Sequence, residues 1–101
     1  AEARHECAYV LAKGRPPLPA NPLPDVLPWR YTGNRRHPTE KPVPVLKSLV
    51  TAFCPAGGLM LDPFCGSGSS LVAARACSRE FVGIELDAGH AAVARQRLAS
   101  C

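Results

Sequence analysis

Apolar and polar positions change their spacing along this chain of 101 residues. Val45, Leu46, Leu49, Val50 and Phe53 fall at i, i+1, i+4, i+5 and i+8, which is one face of a helix. Pro42 and Pro44 suit its first turn, where a missing N–H costs little, and Pro55 with the Gly57-Gly58 pair stops it. An apolar run then predicts a strand over about Gly58–Asp62, followed by a glycine corner and an alanine-rich helix over about Ser69–Cys77. "EFVGIEL" predicts a second strand over about Glu80–Leu86, and a last helix over about Ala88–Ala99 takes Asp87 as its N-cap. Helix–strand–helix–strand–helix is the order of an α/β layer, and the connection between the strands has the length of a crossover, so the strands are expected to be parallel.

The first part of the chain has another texture. "ECAYVLAK" (Glu6–Lys13) reads as one short strand. Nine of the eleven prolines lie between Gly14 and Pro44, which forbids a continuous helix or a central strand there. The expectation is an extended segment.

Composition narrows the class only a little. The chain carries 12 Lys and Arg against 8 Asp and Glu, a net charge of +4, which is compatible with nucleic-acid contact without requiring it. Five cysteines with no C-x-x-C pair read as reduced thiols rather than a disulfide framework or a zinc site. His5, His37 and His90 are not spaced as metal ligands, so no metal is expected. No apolar run approaches the roughly 20 residues of a membrane span and no signal peptide is recognisable. A soluble, cytoplasmic protein without a membrane role is the expectation.

The candidate chemistry lies at the corner "LDPFCGSGSS" (Leu61–Ser70). In an open parallel sheet, ligands bind beyond the carboxyl ends of the strands, where Asp62 and Glu85 are both expected. Gly66 and Gly68 let backbone approach a ligand closely, and the following helix offers unpaired N–H groups. Glu85, 19 residues beyond Gly66, has the spacing that brings a carboxylate onto the ribose of an adenosyl cofactor. A dinucleotide fits poorly: Leu71 occupies the third glycine position of G-x-G-x-x-G, and Asp62 repels a pyrophosphate. A sulfonium cofactor without phosphate, S-adenosylmethionine, suits two carboxylates better. A phosphate loop is excluded because no G-K-[ST] follows.

"HPTEKP" (His37–Pro42), "LDPFCGSGSS" and "GIELD" (Gly83–Asp87), in that order, resemble the N4-cytosine/N6-adenine DNA methyltransferase family, in the group whose cofactor motifs follow the catalytic motif. The resemblance implies a partial Rossmann-like S-adenosylmethionine-dependent methyltransferase fold. It gives Asp62, Phe64, Gly66, Ser67 and Gly68 to the cofactor loop and Glu85 to the ribose hydroxyls. Thr39, Glu40, Lys41 and Pro42 correspond to the motif that closes the methionine side of the pocket. Implied domains are residues 1–13, a terminal strand of a catalytic half; 14–38, a Pro-rich linker; and 39–101, the cofactor-binding subdomain.

The family's catalytic tetrapeptide, Asp, Asn or Ser followed by Pro-Pro and an aromatic, is absent, and "NPLP" (Asn21–Pro24) is no substitute. No catalytic residue is therefore assigned. Ser78 precedes Arg79 where the family commonly has Gly. The implied function is the C-terminal part of a site-specific DNA methyltransferase of restriction-modification type. Such an enzyme moves a methyl group to adenine N6 or cytosine N4 of double-stranded DNA, whereas the isolated chain is expected to be inactive. The alternative is a non-catalytic remnant or binding module, and a third reading is methylation of RNA or a small molecule. "PWRYTGNRRH" (Pro28–His37) interleaves Arg30, Arg35 and Arg36 with aromatics, candidates for DNA contact. Arg95 and Arg97 are expected to face solvent. With two strands and three helices the core is expected to be thin.

Overall fold

The computed structural model describes residues 9–19, 22–24, 27 and 42–101. Pro42 sits in extended conformation as the N-cap of α1, Val43–Phe53, with its side chain fully buried. Its ring fixes φ near the value that the chain needs on entering a helix. The N–H of Cys54 closes the last turn on the Val50 carbonyl at 2.8 Å, and a tight turn from Pro55 to Gly58 leads into β1, Leu59–Asp62. After the glycine corner come α2, Ser69–Ala76, then β2, Glu80–Gly83, and α3, Ala88–Ala99.

The two strands pair in parallel, from Leu59 opposite Glu80 to Asp62 opposite Gly83. Asp62 and the end of β2 therefore lie side by side at the carboxyl edge. The second strand is shorter than expected, ending at Gly83 rather than Leu86. Phe64, the next residue after β1 in register to donate, gives its N–H to the Asp62 carboxylate instead. Ile84 still donates to the Asp62 carbonyl at 2.9 Å, but its own carbonyl turns to accept the Cys65 N–H at 3.0 Å.

The core is the layer between the helices and one sheet face. It consists of Val45 and Val50 of α1, Leu71, Ala73 and Ala74 of α2, and Ala94 of α3. Alanines let α2 lie close to its neighbours. A Cβ on Gly83 would come within 2.5 Å of Leu71 Cδ1, so Leu71 seats directly on the strand where a side chain is missing. The close helix–strand approach that a dinucleotide fold obtains from a third loop glycine comes here from a glycine on the strand. On the opposite face Leu59, Leu61 and Val82 are exposed.

Arg79 ties two helix ends together. Its Nε and Nη2 donate to the Cys54 carbonyl at 3.0 and 2.9 Å, and its Nη1 to the Cys77 carbonyl at 2.7 Å. A cation at two helix C-termini contributes about 0.3–1 kcal/mol at each.

The expected strand at Glu6–Lys13 is not formed over its described part, Tyr9–Lys13. Tyr9, Val10 and Leu11 are exposed, so no buried face holds this segment in a ladder. Among the described residues no helix is long and apolar enough to cross a membrane, and no cluster of His, Cys, Asp and Glu could hold a metal ion.

Candidate functional site

The corner between β1 and α2 is built around two carboxylates at neighbouring strand ends. Asp62 Oδ1 accepts the Phe64 N–H at 3.0 Å, and its Oδ2 accepts the Ser70 hydroxyl at 2.5 Å. That one side chain joins the end of β1, the loop and the first turn of α2. Glu85 Oε1 accepts the Gly66 N–H at 2.9 Å, and its Oε2 accepts the Asp87 N–H at 2.9 Å. Each carboxylate oxygen has further lone-pair capacity for a ligand hydroxyl or amine.

The loop turns twice through left-handed backbone, at Gly66 (φ 55) and Gly68 (φ 89). Gly68 closes a turn by donating to the Cys65 carbonyl at 2.8 Å. A Cβ there would lie 2.8 Å from the Cβ of Ala94, so the glycine also permits close packing of α3 against the loop. The loop has an outer and an inner edge. Phe64 is 87% exposed, while Ser67 and Ser69 are 3% and 6% exposed. Phe64 is thus no part of the core, and Leu86, wholly exposed beside Glu85, gives the site a second bare apolar side chain.

Arg97 departs from expectation. Instead of facing solvent, its Nη1 reaches the Ser67 carbonyl at 2.9 Å, the Ser67 hydroxyl at 3.2 Å and the Ser69 hydroxyl at 3.0 Å. Arg95 is exposed. Arg97, the N–H of Asp87 and the hydroxyl of Ser70 are site components that motif reading passed over. Ser70 was accessible to it, since a hydroxyl in the first turn of a helix is well placed to reach a strand-end carboxylate.

Charge follows this geometry. The Asp87 N–H holds the Glu85 carboxyl below its usual range, assisted by the Gly66 N–H and by nearby His90, against the opposing effects of desolvation and of the Asp87 charge. Burial pushes the Cys65 thiol up, and the charges of Asp62 and Glu85 push it further. The corner is thus anionic at neutral pH, with its thiol protonated. Pro42 stands at the head of α1. Thr39, Glu40 and Lys41, and the basic candidates Arg30, Arg35 and Arg36, lie outside the described residues.

Residues 2–96 match the model of the DNA methylase family N6_N4_Mtase. The chain belongs to this family. The chain is 57% identical over 97 residues to YubD of Escherichia coli (strain K12), a protein named only provisionally as a methylase; the match covers 96% of this chain and 43% of YubD. It therefore spans less than half the length of that relative. Among solved structures it resembles M1.HpyAVI in complex with S-adenosylmethionine, with a TM-score of 0.63 and 29% identity over 68% of this chain and 34% of the other. TTHA0409 of Thermus thermophilus, solved with S-adenosyl-L-methionine, gives a TM-score of 0.57 at 37% identity, over 58% of this chain and 24% of its own. The fold is that of the S-adenosylmethionine-dependent DNA methyltransferases, and this chain carries an α/β portion that contains the corner.

Proposed function

We propose that the corner binds S-adenosylmethionine, and that the chain is the cofactor-holding part of an enzyme that methylates an exocyclic amine of DNA, adenine N6 or cytosine N4. The observation that carries this reading is that Asp62, at the end of β1, and Glu85, two residues past the end of β2, each order one stretch of the glycine loop. The residues fit such a cofactor. Two carboxylates suit a ligand bearing a sulfonium and an ammonium, and an anionic corner disfavours a pyrophosphate. Glu85 accepts the ribose hydroxyls on lone pairs not used by Gly66 and Asp87. Asp62, Gly66, Ser67 and Gly68 surround the methionine and adenosyl parts, while exposed Phe64 and Leu86 offer apolar surface to the rings. Thr39, Glu40, Lys41 and Pro42 close the methionine side.

When bound, the cofactor supplies an electrophilic methyl group. The chain's own residues hold it in place and leave the outer edge of the loop open toward a base brought out of the duplex. The groups that present the amine are not among these residues, since no Asp, Asn or Ser followed by Pro-Pro and an aromatic occurs. The 101 residues alone therefore bind cofactor without transferring methyl groups. Arg30, Arg35 and Arg36 contribute phosphate contacts, and modification of bacterial DNA in the cytoplasm is the setting.

The test is transfer of labelled methyl from S-adenosylmethionine by the intact protein, offered DNA and RNA in parallel. Label in DNA at an exocyclic amine is expected. Label in RNA alone, or in neither, contradicts the reading.

A further inference from the structure

We propose that Arg97 is a positioning residue that clamps the glycine loop in its ligand-binding shape from behind, which makes α3 the template for the loop. The inference rests on the reading of this corner as the cofactor site. Ala94 and Arg97 are three residues apart on α3 and so share one face. Ala94 bears on Gly68, and Arg97 Nη1 lies within hydrogen-bond distance of three acceptors on the two residues flanking it. Gly68 is the residue with φ 89, the second of the loop's two left-handed turns.

Arg97 is a donor to all three acceptors. Ser67 and Ser69 are buried, and a buried carbonyl or hydroxyl without a donor carries a desolvation cost. One cation on a planar head draws the Ser67 carbonyl and both hydroxyls toward α3. With Ser67 held inward, Phe64 and the Gly66 turn stay on the outer edge, where Glu85 meets the Gly66 N–H. The loop is thus held from both sides, by Glu85 at its outer turn and by Arg97 at its inner one. Asp62 fixes the strand end from which the loop departs.

Reading the clamp requires two measurements on the intact protein and on Arg97→Ala and Arg97→Lys. The first is calorimetric affinity for S-adenosylmethionine. The second is amide hydrogen exchange, without cofactor, of Gly68 against Glu80 in the sheet and Ala91 in α3, whose N–H groups bond elsewhere. Arg97→Ala is expected to weaken binding roughly ten- to a hundredfold, the size of one charge-assisted hydrogen bond. It should also speed exchange at Gly68 by about tenfold or more while Glu80 and Ala91 keep their protection. Arg97→Lys, which keeps the charge on a single nitrogen, should restore part of both.

Unchanged affinity in a folded variant overturns the proposal, as does accelerated exchange spread evenly over sheet and helix. If Arg97→Ala does not fold, Arg97→Lys carries the same comparison, and wild-type values for it are equally contradictory. A wild-type protein that binds no S-adenosylmethionine defeats the cofactor reading instead. The clamp is then judged by Gly68 exchange alone.

Discussion

The carboxylate of Glu85 accepts the backbone N–H of Gly66 at 2.9 Å, across 19 residues of chain. The end of the second strand thereby fixes the first left-handed turn of the loop that follows the first strand. The same side chain shapes the corner that is proposed to hold the ligand.

Glu85→Gln therefore acts twice. It removes the negative charge, and it sets an amide NH2 against one of two backbone donors, Gly66 or Asp87. Losing one charge-assisted hydrogen bond weakens S-adenosylmethionine binding by roughly ten- to a hundredfold. Isothermal titration of wild type and variant measures this, and equal affinities remove Glu85 from the site.

The same carboxylate gives stability a defined dependence on pH. Its folded-state pKa lies below the ordinary 4.5, chiefly through the Asp87 N–H. A depressed acid stabilises the fold above its unfolded pKa, and that contribution disappears as pH falls through the folded value. The melting-temperature difference between wild type and Glu85→Gln should stay constant at neutral pH and shrink below about 4.5. A gap that widens on acidification contradicts the assignment.

Cys65 sits in the loop with its thiol pushed up by burial and by the charges of Asp62 and Glu85. The thiolate is the reactive form, so Cys65 should alkylate more slowly than exposed Cys101 at neutral pH. Glu85→Gln removes one of the charges and should quicken the reaction. Mass-spectrometric timing with iodoacetamide reads both rates, and a Cys65 that matches Cys101 refutes the picture.

Ser78 is the one described residue other than glycine with positive φ, at 59. It closes α2 in a left-handed turn, with its N–H on the Arg75 carbonyl at 3.0 Å and the Arg79 N–H on the Ala74 carbonyl at 2.9 Å. That conformation costs a non-glycine residue about 1–2 kcal/mol. Glycine regains most of this but loses about 0.4–1 kcal/mol through the freer unfolded chain. Ser78→Gly should stabilise by roughly 0.5 kcal/mol in denaturant titration, the balance of those two effects. A destabilised variant shows that the serine side chain matters there.

Much of this was legible in the sequence because it is local. Helical spacing from Val45 to Phe53 and the Pro55-Gly57-Gly58 stop place α1, and the Asp87 side chain caps α3 by accepting the His90 N–H at 2.9 Å. The end of β2 was not legible, because it depends on the Phe64 N–H turning to the Asp62 carboxylate and the Cys65 N–H taking the Ile84 carbonyl. Nor was the fate of Tyr9–Lys13, whose β-favouring residues find no buried face. Arg97 looked like a surface cation because its partners lie 28 and 30 residues away in the chain. Only the packing of Ala94 on Gly68 brings its head group to the two serines.

Amide chemical-shift mapping by NMR, with S-adenosylmethionine titrated into the intact protein and NAD as the control, tests the account most directly. The account predicts the largest, saturable shifts at Phe64–Ser70 and Glu85–Asp87 with S-adenosylmethionine, and none with NAD. Shifts centred on other residues, or the same residues responding equally to NAD, contradict it.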